Sequence, residues 1–180
     1  MITDEIVQMI NNTLSHEGGE ANVKNDHGGL TKFGITKSAL AEYRNVDISQ
    51  ISDQDIHDLT KQDAFNVIKQ NFYLKPHIDE LPEEIQPIVM DMAVMSYPKT
   101  AIRILQRSIS NYSMSLADDG LIGANTVRAC KQALNAAGEK SVISSIVQTR
   151  ITFLKHIVSH DITQEKFLAG WTARTKSFLV

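Results

Sequence analysis

Apolar residues recur three and four positions apart along almost the whole chain, and only one segment breaks that rhythm for long. Such spacing places them on one face of a helix, so a chain built this way must fold by packing amphipathic helices against one another. Ile6, Val7, Ile10 and Leu14 form the first stripe, behind Thr3 as a cap and with Asp4 and Glu5 in the opening turn. Further helices are expected from Thr36 or Lys37 to about Tyr43, after a Ser52/Asp55 cap pair, and after Thr60 through KQDAFNVIKQNFY. Pro82 is expected to open PEEIQPIVMDMAVMS, Pro98 to open KTAIRILQRSI, and Asn125 to cap the helix that Gly138 ends. A long helix should follow from about Glu139 to His160, and Thr163 should cap a last one reaching about Phe178.

The exception is SHEGGEANVKNDHGGLTKFGIT, residues 15–36, which holds two Gly-Gly pairs and three acidic residues. Paired glycines permit positive φ and close backbone approach, so this segment reads as a shaped loop with a small β-hairpin near residues 20–36, turned at Gly28 and Gly29. The fold class expected is therefore mainly α with that one hairpin. With 180 residues and 42% hydrophobic content, the chain can bury a sizeable core. Its one cysteine, Cys130, excludes an intrachain disulfide and reads as a small buried apolar residue.

Charge is unevenly distributed. Residues 1–97 carry 7 Lys/Arg against 16 Asp/Glu, a net −9, whereas residues 98–180 carry 11 against 5, a net +6. This split and the SYP run at residues 96–98 suggest a boundary near residue 97 between two regions, 1–97 and 98–180. The basic half suits an anionic partner, with Arg103, Arg107, Lys131 and Arg174 as the positions to neutralise, but without interleaved aromatics or a binding motif it does not read as a nucleic-acid binder. The opening MITDEIVQMI lacks the features of a secretory signal, and no apolar run reaches membrane-spanning length, so the expectation is a soluble, monomeric cytoplasmic product with no stable membrane anchor. Action outside the cell would need release by another factor, such as a holin or a secretion system.

Two carboxylates in the glycine-rich segment carry the chemistry. Glu17 ends a helix, where a negative charge opposes the helix dipole, and sits beside two glycines that leave it uncrowded. A partly buried carboxyl there would hold its proton near neutral pH, as a general acid requires. Asp26 lies nine residues on, before the turn, where a hairpin could return it opposite Glu17. Two carboxylates facing across a cleft are the arrangement that glycosidic bond cleavage uses. His16 and His27 nearby do not form a compact zinc spacing, so no metal and no cofactor is expected. Asp91, among Met90, Met92 and Met95, reads as a residue orienting the site within an otherwise apolar core. Phe167, Trp171 and Phe178 read as a stripe that docks the last helix onto that core.

The run Glu17-Gly18-Gly19, Asp26, Gly28-Gly29, Thr31 and Phe33-Gly34-Ile35-Thr36 resembles the N-terminal motif of glycoside hydrolase family 108, the N-acetylmuramidases of bacteriophage endolysins and bacterial secretion-activator proteins. It is also similar to the Glu, Asp, Thr pattern of phage-type lysozymes, with one residue fewer between Asp and Thr. The stretch IVMDMAVMSYPKTAIRILQRSI, then DDGLIGANTVRA, resembles that family's middle segment and its C-terminal peptidoglycan-binding region, and FLAGWTARTKSF its closing helix. Where that family usually has Asn, Ser or His, and then Gly, after Ala-Val, this chain has Met95-Ser96-Tyr97.

The resemblance implies a lysozyme-like fold and a hydrolase that cleaves the β-1,4 bond between N-acetylmuramic acid and N-acetylglucosamine in bacterial peptidoglycan, an antimicrobial, cell-wall-lysing activity. It implies Glu17 as the catalytic acid, Asp26 and Thr31 as partners that place water, and Thr36, Ser96 and Tyr97 as substrate contacts. A lytic transglycosylase, or an inactive module that binds peptidoglycan or assists secretion, are the competing readings.

Overall fold

The computed structural model describes residues 2–16, 20–22, 30–112 and 116–179. Glu17, Asp26 and the Gly28-Gly29 turn therefore lie outside the described residues. The fold class is as the sequence implies: mainly α, with nine α-helices among the described residues and one small antiparallel sheet at residues 20–36. The chain divides into two compact units, Met1–Asp79 and Glu80–Val180.

In the first unit, α1 (Asp4–His16) starts where the Thr3 hydroxyl accepts from the Ile6 N–H, at 3.3 Å, and buries Ile6, Ile10 and Leu14 almost completely. Three strands follow, β1 (Glu20–Asn22), β2 (Leu30–Lys32) and β3 (Ile35–Thr36), in that order across the sheet. The third strand extends the expected hairpin. It arises because Phe33 and Gly34 both take positive φ, 54° and 76°, the signature of a tight two-residue turn whose twist matches the strands it joins.

Next come α2 (Lys37–Arg44), α3 (Asp53–His57) and α4 (Lys61–Ile68). Both α3 and α4 begin with a complete capping box, Ser52 with Asp55 and Thr60 with Asp63, in which each side chain satisfies the other residue's backbone N–H. The expected single helix after Thr60 instead widens into a π-helical turn, Lys69–Leu74, closed by the Lys75 N–H on the Gln70 carbonyl at 2.9 Å. Helix α4 packs on α1 and α2, and the buried Leu40, Ile56, Ala64, Val67 and Tyr73 fill this unit's core.

In the second unit Pro82 does not open the helix directly. A 3₁₀ turn, Glu83–Ile85, intervenes before α5 (Gln86–Ser96), whose Pro87 occupies the first turn where its missing N–H costs nothing. Then α6 (Pro98–Ser108) does begin at its proline. Helix α7 (Ala124–Ala137) starts after Gly123, one residue before Asn125, and has no side-chain cap; α8 (Glu139–His160) runs as expected. Asp161, rather than Thr163, supplies the next cap, accepting from the Thr163 N–H and hydroxyl ahead of α9 (Glu165–Lys176).

Helix α8 is the axis of this unit and packs against α6, α7 and α9, while α5 packs on α6. Ile88, Val89, Met90, Met92, Ile104, Leu105, Ile146 and Val147 are buried to within 1%. Each side chain of this size removed from water contributes roughly 1.5–3 kcal/mol, which makes this apolar seam the main source of the unit's stability. Met95 departs from expectation and is 43% exposed.

Candidate functional site

The small sheet positions what is described of the expected catalytic segment. Thr31 on β2 is the direct cross-strand partner of Thr36 on β3, and Lys32 is that of Ile35. Side chains opposite one another share a face, so Ile35, 2% exposed, carries one face into the core while the half-buried Thr31 and Thr36 share the other. Two of the sequence-predicted residues are thereby brought together. The Thr36 hydroxyl has a structural task as well: it accepts the Ala39 N–H at 3.1 Å as the N-cap of α2. Lys32 crosses to donate to the His57 carbonyl at the end of α3, tying the sheet to that helix.

Behind α2 stands a residue the sequence did not single out. Asn71, in the π-helical turn, donates to the Ala39 carbonyl at 2.8 Å, and its buried Oδ1 has no hydrogen-bond partner among the described residues. Helix N-cap Thr36 and buried Asn71 thus engage the N–H and the carbonyl of one residue, Ala39, in the first turn of α2.

The second unit gathers a different set of groups. Asp91, 4% exposed on α5, accepts from Arg150 Nη1 on α8 at 2.7 Å and from Arg174 Nε and Nη2 on α9 at 2.8 and 2.7 Å. Asp91 is thus the anchor of an ion cluster joining three helices. Beside it opens a pocket of about 110 Å³ lined by Met95, Ser96, Arg150, Leu154, Ile157, Trp171 and Arg174. Ser96 therefore belongs to a real concavity. Its neighbour Tyr97 is 76% exposed and held at φ 64°, ψ 149° between α5 and α6. Arg150 was legible in principle, since it interrupts the apolar stripe Ile143, Val147, Leu154 in the middle of a long helix.

The loop before α7 is organised by one buried amide. Gln106, 2% exposed, accepts the Gly120 N–H through Oε1 at 2.9 Å and donates through Nε2 to Asp119, Leu121 and Thr126. Gly120 has φ 76°, and a Cβ there would stand 2.8 Å from the Lys99 carbonyl oxygen, so no other residue fits. The Gln106 hydrogen bond is the main reason the Asp119 carboxyl lies below its usual range.

Several expectations about charge and docking are changed. Arg107 and Arg103 pair with Asp118, and Arg174 with Asp91, so three of the four basic residues singled out already hold an acidic partner within the unit. Along α9, Trp171 is half-buried and stacks on Phe167 at 5.6 Å, but Phe167 itself is 45% exposed. Cys130 is buried as expected, and burial pushes its thiol up to about 12. Among the described residues no cluster of His, Cys, Asp and Glu could hold a metal ion, and no helix is long and apolar enough to cross a membrane.

Comparison with known proteins places these features. Residues 10–96 match the family described as glycosyl hydrolase 108, and residues 100–176 match the one described as a predicted peptidoglycan domain. The structure of Brucella abortus SagA is similar with a TM-score of 0.75 and 27% identity, over 96% of this chain and 90% of that one. No curated protein matches the chain. The two family segments meet near residue 97, at Tyr97, whereas the two packed units divide at residues 79 and 80 because α5 pairs with α6. These findings support a glycoside hydrolase that acts on peptidoglycan.

Proposed function

We propose, from the match of residues 10–96 to glycosyl hydrolase 108 and of residues 100–176 to a predicted peptidoglycan domain, that the chain is an N-acetylmuramidase cleaving the β-1,4 bond between N-acetylmuramic acid and N-acetylglucosamine. In this reading Glu17 gives its proton to the glycosidic oxygen as the bond breaks. Asp26 draws a proton from a water on the other face of the sugar, and the Thr31 hydroxyl orients that water. The observation that carries it is the family match across the whole Glu17–Thr36 motif, with Thr31 and Thr36 set side by side on the sheet. Tyr97, exposed at the junction of the two family segments, is the aromatic surface on which a sugar ring would rest. The enzyme would reach the wall by release through another factor, as an endolysin or a secretion-cluster muramidase does.

Glu17→Gln tests the assignment. The amide keeps the shape but has no acidic proton, so release of reducing ends from purified peptidoglycan should fall at least about a hundredfold while sedimentation with the wall persists. A loss of only a few-fold would remove Glu17 from this role. Products ending in anhydro-muramic acid would make the chain a lytic transglycosylase. Wall binding with no cleavage by the parent protein would make it a binding module.

A further inference from the structure

The pocket between the last turn of α5, the second half of α8 and α9 holds more positive charge than the fold needs. One carboxylate, Asp91, is shared by two guanidinium groups, leaving a net positive charge at the pocket floor. Arg150 is 4% exposed, yet among the described residues Nη1 alone of its nitrogens has an acceptor. A guanidinium carries five N–H donors, and those of Arg150 not spent on Asp91 are not sealed in the core, since Asn71 Oδ1 is the one buried side-chain polar atom without a partner among the described residues. Arg150 lines the pocket, so its remaining donors have that space to serve. Arg174 spends Nε and Nη2 on a single Asp91 oxygen, and its side chain is still 41% exposed. The walls are otherwise apolar: Met95, Leu154, Ile157 and Trp171, with the Ser96 hydroxyl at the rim.

We propose that this pocket is a carboxylate-binding subsite that takes the terminal D-alanine of a peptidoglycan stem peptide. The inference rests on the reading of residues 100–176 as a peptidoglycan-binding region and names the part of the polymer they hold. A carboxylate seated between Arg150 and Arg174 satisfies the surplus donors and the surplus charge together. The methyl of alanine meets the apolar wall that Leu154 and Trp171 supply. Ser96 Oγ can accept the peptide N–H next to that terminus. Both arginines are needed to tie α8 and α9 to Asp91, and a ligand carboxylate would balance the one positive charge that this arrangement leaves over.

Trp171 is the chain's one tryptophan, so its fluorescence reports on this pocket directly. The full-length protein is titrated with acetyl-lysyl-D-alanyl-D-alanine, with the same peptide as its C-terminal amide, and with inorganic phosphate. The free acid should give a saturable change, with the amide and phosphate binding at least about tenfold more weakly. Arg174→Gln should weaken the acid by a similar factor. Leu154→Phe, which fills the pocket without touching the ion cluster, should abolish the response while circular dichroism stays unchanged. Should Leu154→Phe fail to fold, the Arg174→Gln titration decides. Equal binding of acid and amide, phosphate binding as tight as the peptide's, no saturable change with the acid, or full binding by either variant overturns the subsite. Reducing-end release is measured in parallel: hydrolysis without an acid-selective response removes the subsite alone, whereas an acid-selective response without hydrolysis supports the subsite and removes the muramidase reading.

Discussion

The two units secure their helices by different means. In residues 1–79 the helix starts are secured near the surface and close in sequence, Ser52 with Asp55 and Thr60 with Asp63 three residues apart and Thr36 reaching Ala39, while the longer reaches of Lys32 to His57 and of buried Asn71 to Ala39 are single hydrogen bonds rather than hubs. In residues 80–180 the polar work is done inside and across long distances, since Asp91 meets Arg150 and Arg174, 59 and 83 residues away, and Gln106 gathers a loop 13 to 20 residues on. Local caps stabilise helices one at a time and tolerate loss. Buried hubs hold several elements at once, so each partner depends on the others.

Removing a hub should therefore cost far more than removing a cap. Asp91→Ala leaves the buried Arg150 without its carboxylate and should destabilise the second unit by about 3–5 kcal/mol, read as a fall in the urea midpoint. A loss under about 1 kcal/mol would mean that the ion cluster is no more consequential than an exposed pair, and the contrast between the units would collapse. An intermediate effect of opposite sign is expected at Tyr97, whose backbone lies at the edge of a region only glycine occupies freely. Tyr97→Gly should raise the melting temperature, by the equivalent of about 1 kcal/mol or more, and should slow wall hydrolysis if the ring supports a sugar.

The smallest effect belongs to the caps. Thr60→Ala should cost about 1 kcal/mol at neutral pH. The Thr60 hydroxyl, and after it the Thr60 backbone N–H, holds the Asp63 carboxyl below its usual range. A lowered carboxyl contributes stability that is present above its unfolded value near pH 4 and lost as pH falls through the lower folded one. The gap between parent and variant should accordingly narrow in melts below about pH 4, and a gap that stays constant would detach Asp63 from the cap.

The same contrast explains what could be read from the sequence. The Ser52/Asp55 and Thr60 starts, the Pro98 start and the Glu139–His160 helix were legible because each is decided by residues within a turn of one another. The start of α7 and the cap before α9 were misplaced because Asn125 and Thr163 compete with neighbours: Gln106 fixes the backbone from Asp119 to Thr126, and Asp161 reaches the Thr163 N–H first. The third strand turns on Phe33 at positive φ, a conformation that side chain does not favour and local propensity does not foretell. Of the candidate site, Thr31 and Thr36 were singled out through their motif, and the sheet sets them opposite one another. Arg150 was missed because its partner lies on another helix 59 residues away.

The pairing of Asp91 with Arg174 also sets a schedule. At roughly 5–20 residues per second, a ribosome needs about 4–17 s to add the 83 residues that separate them. For about the first 3–12 s of that interval, while the 59 residues up to Arg150 are added, neither cationic partner of Asp91 exists, and an unpaired carboxylate resists burial. The nascent second unit must wait, with Met90 and Met92 still in water, for α8 and α9 to arrive. Its dependence on a chaperone should be decided in those seconds rather than by the stability of the finished fold.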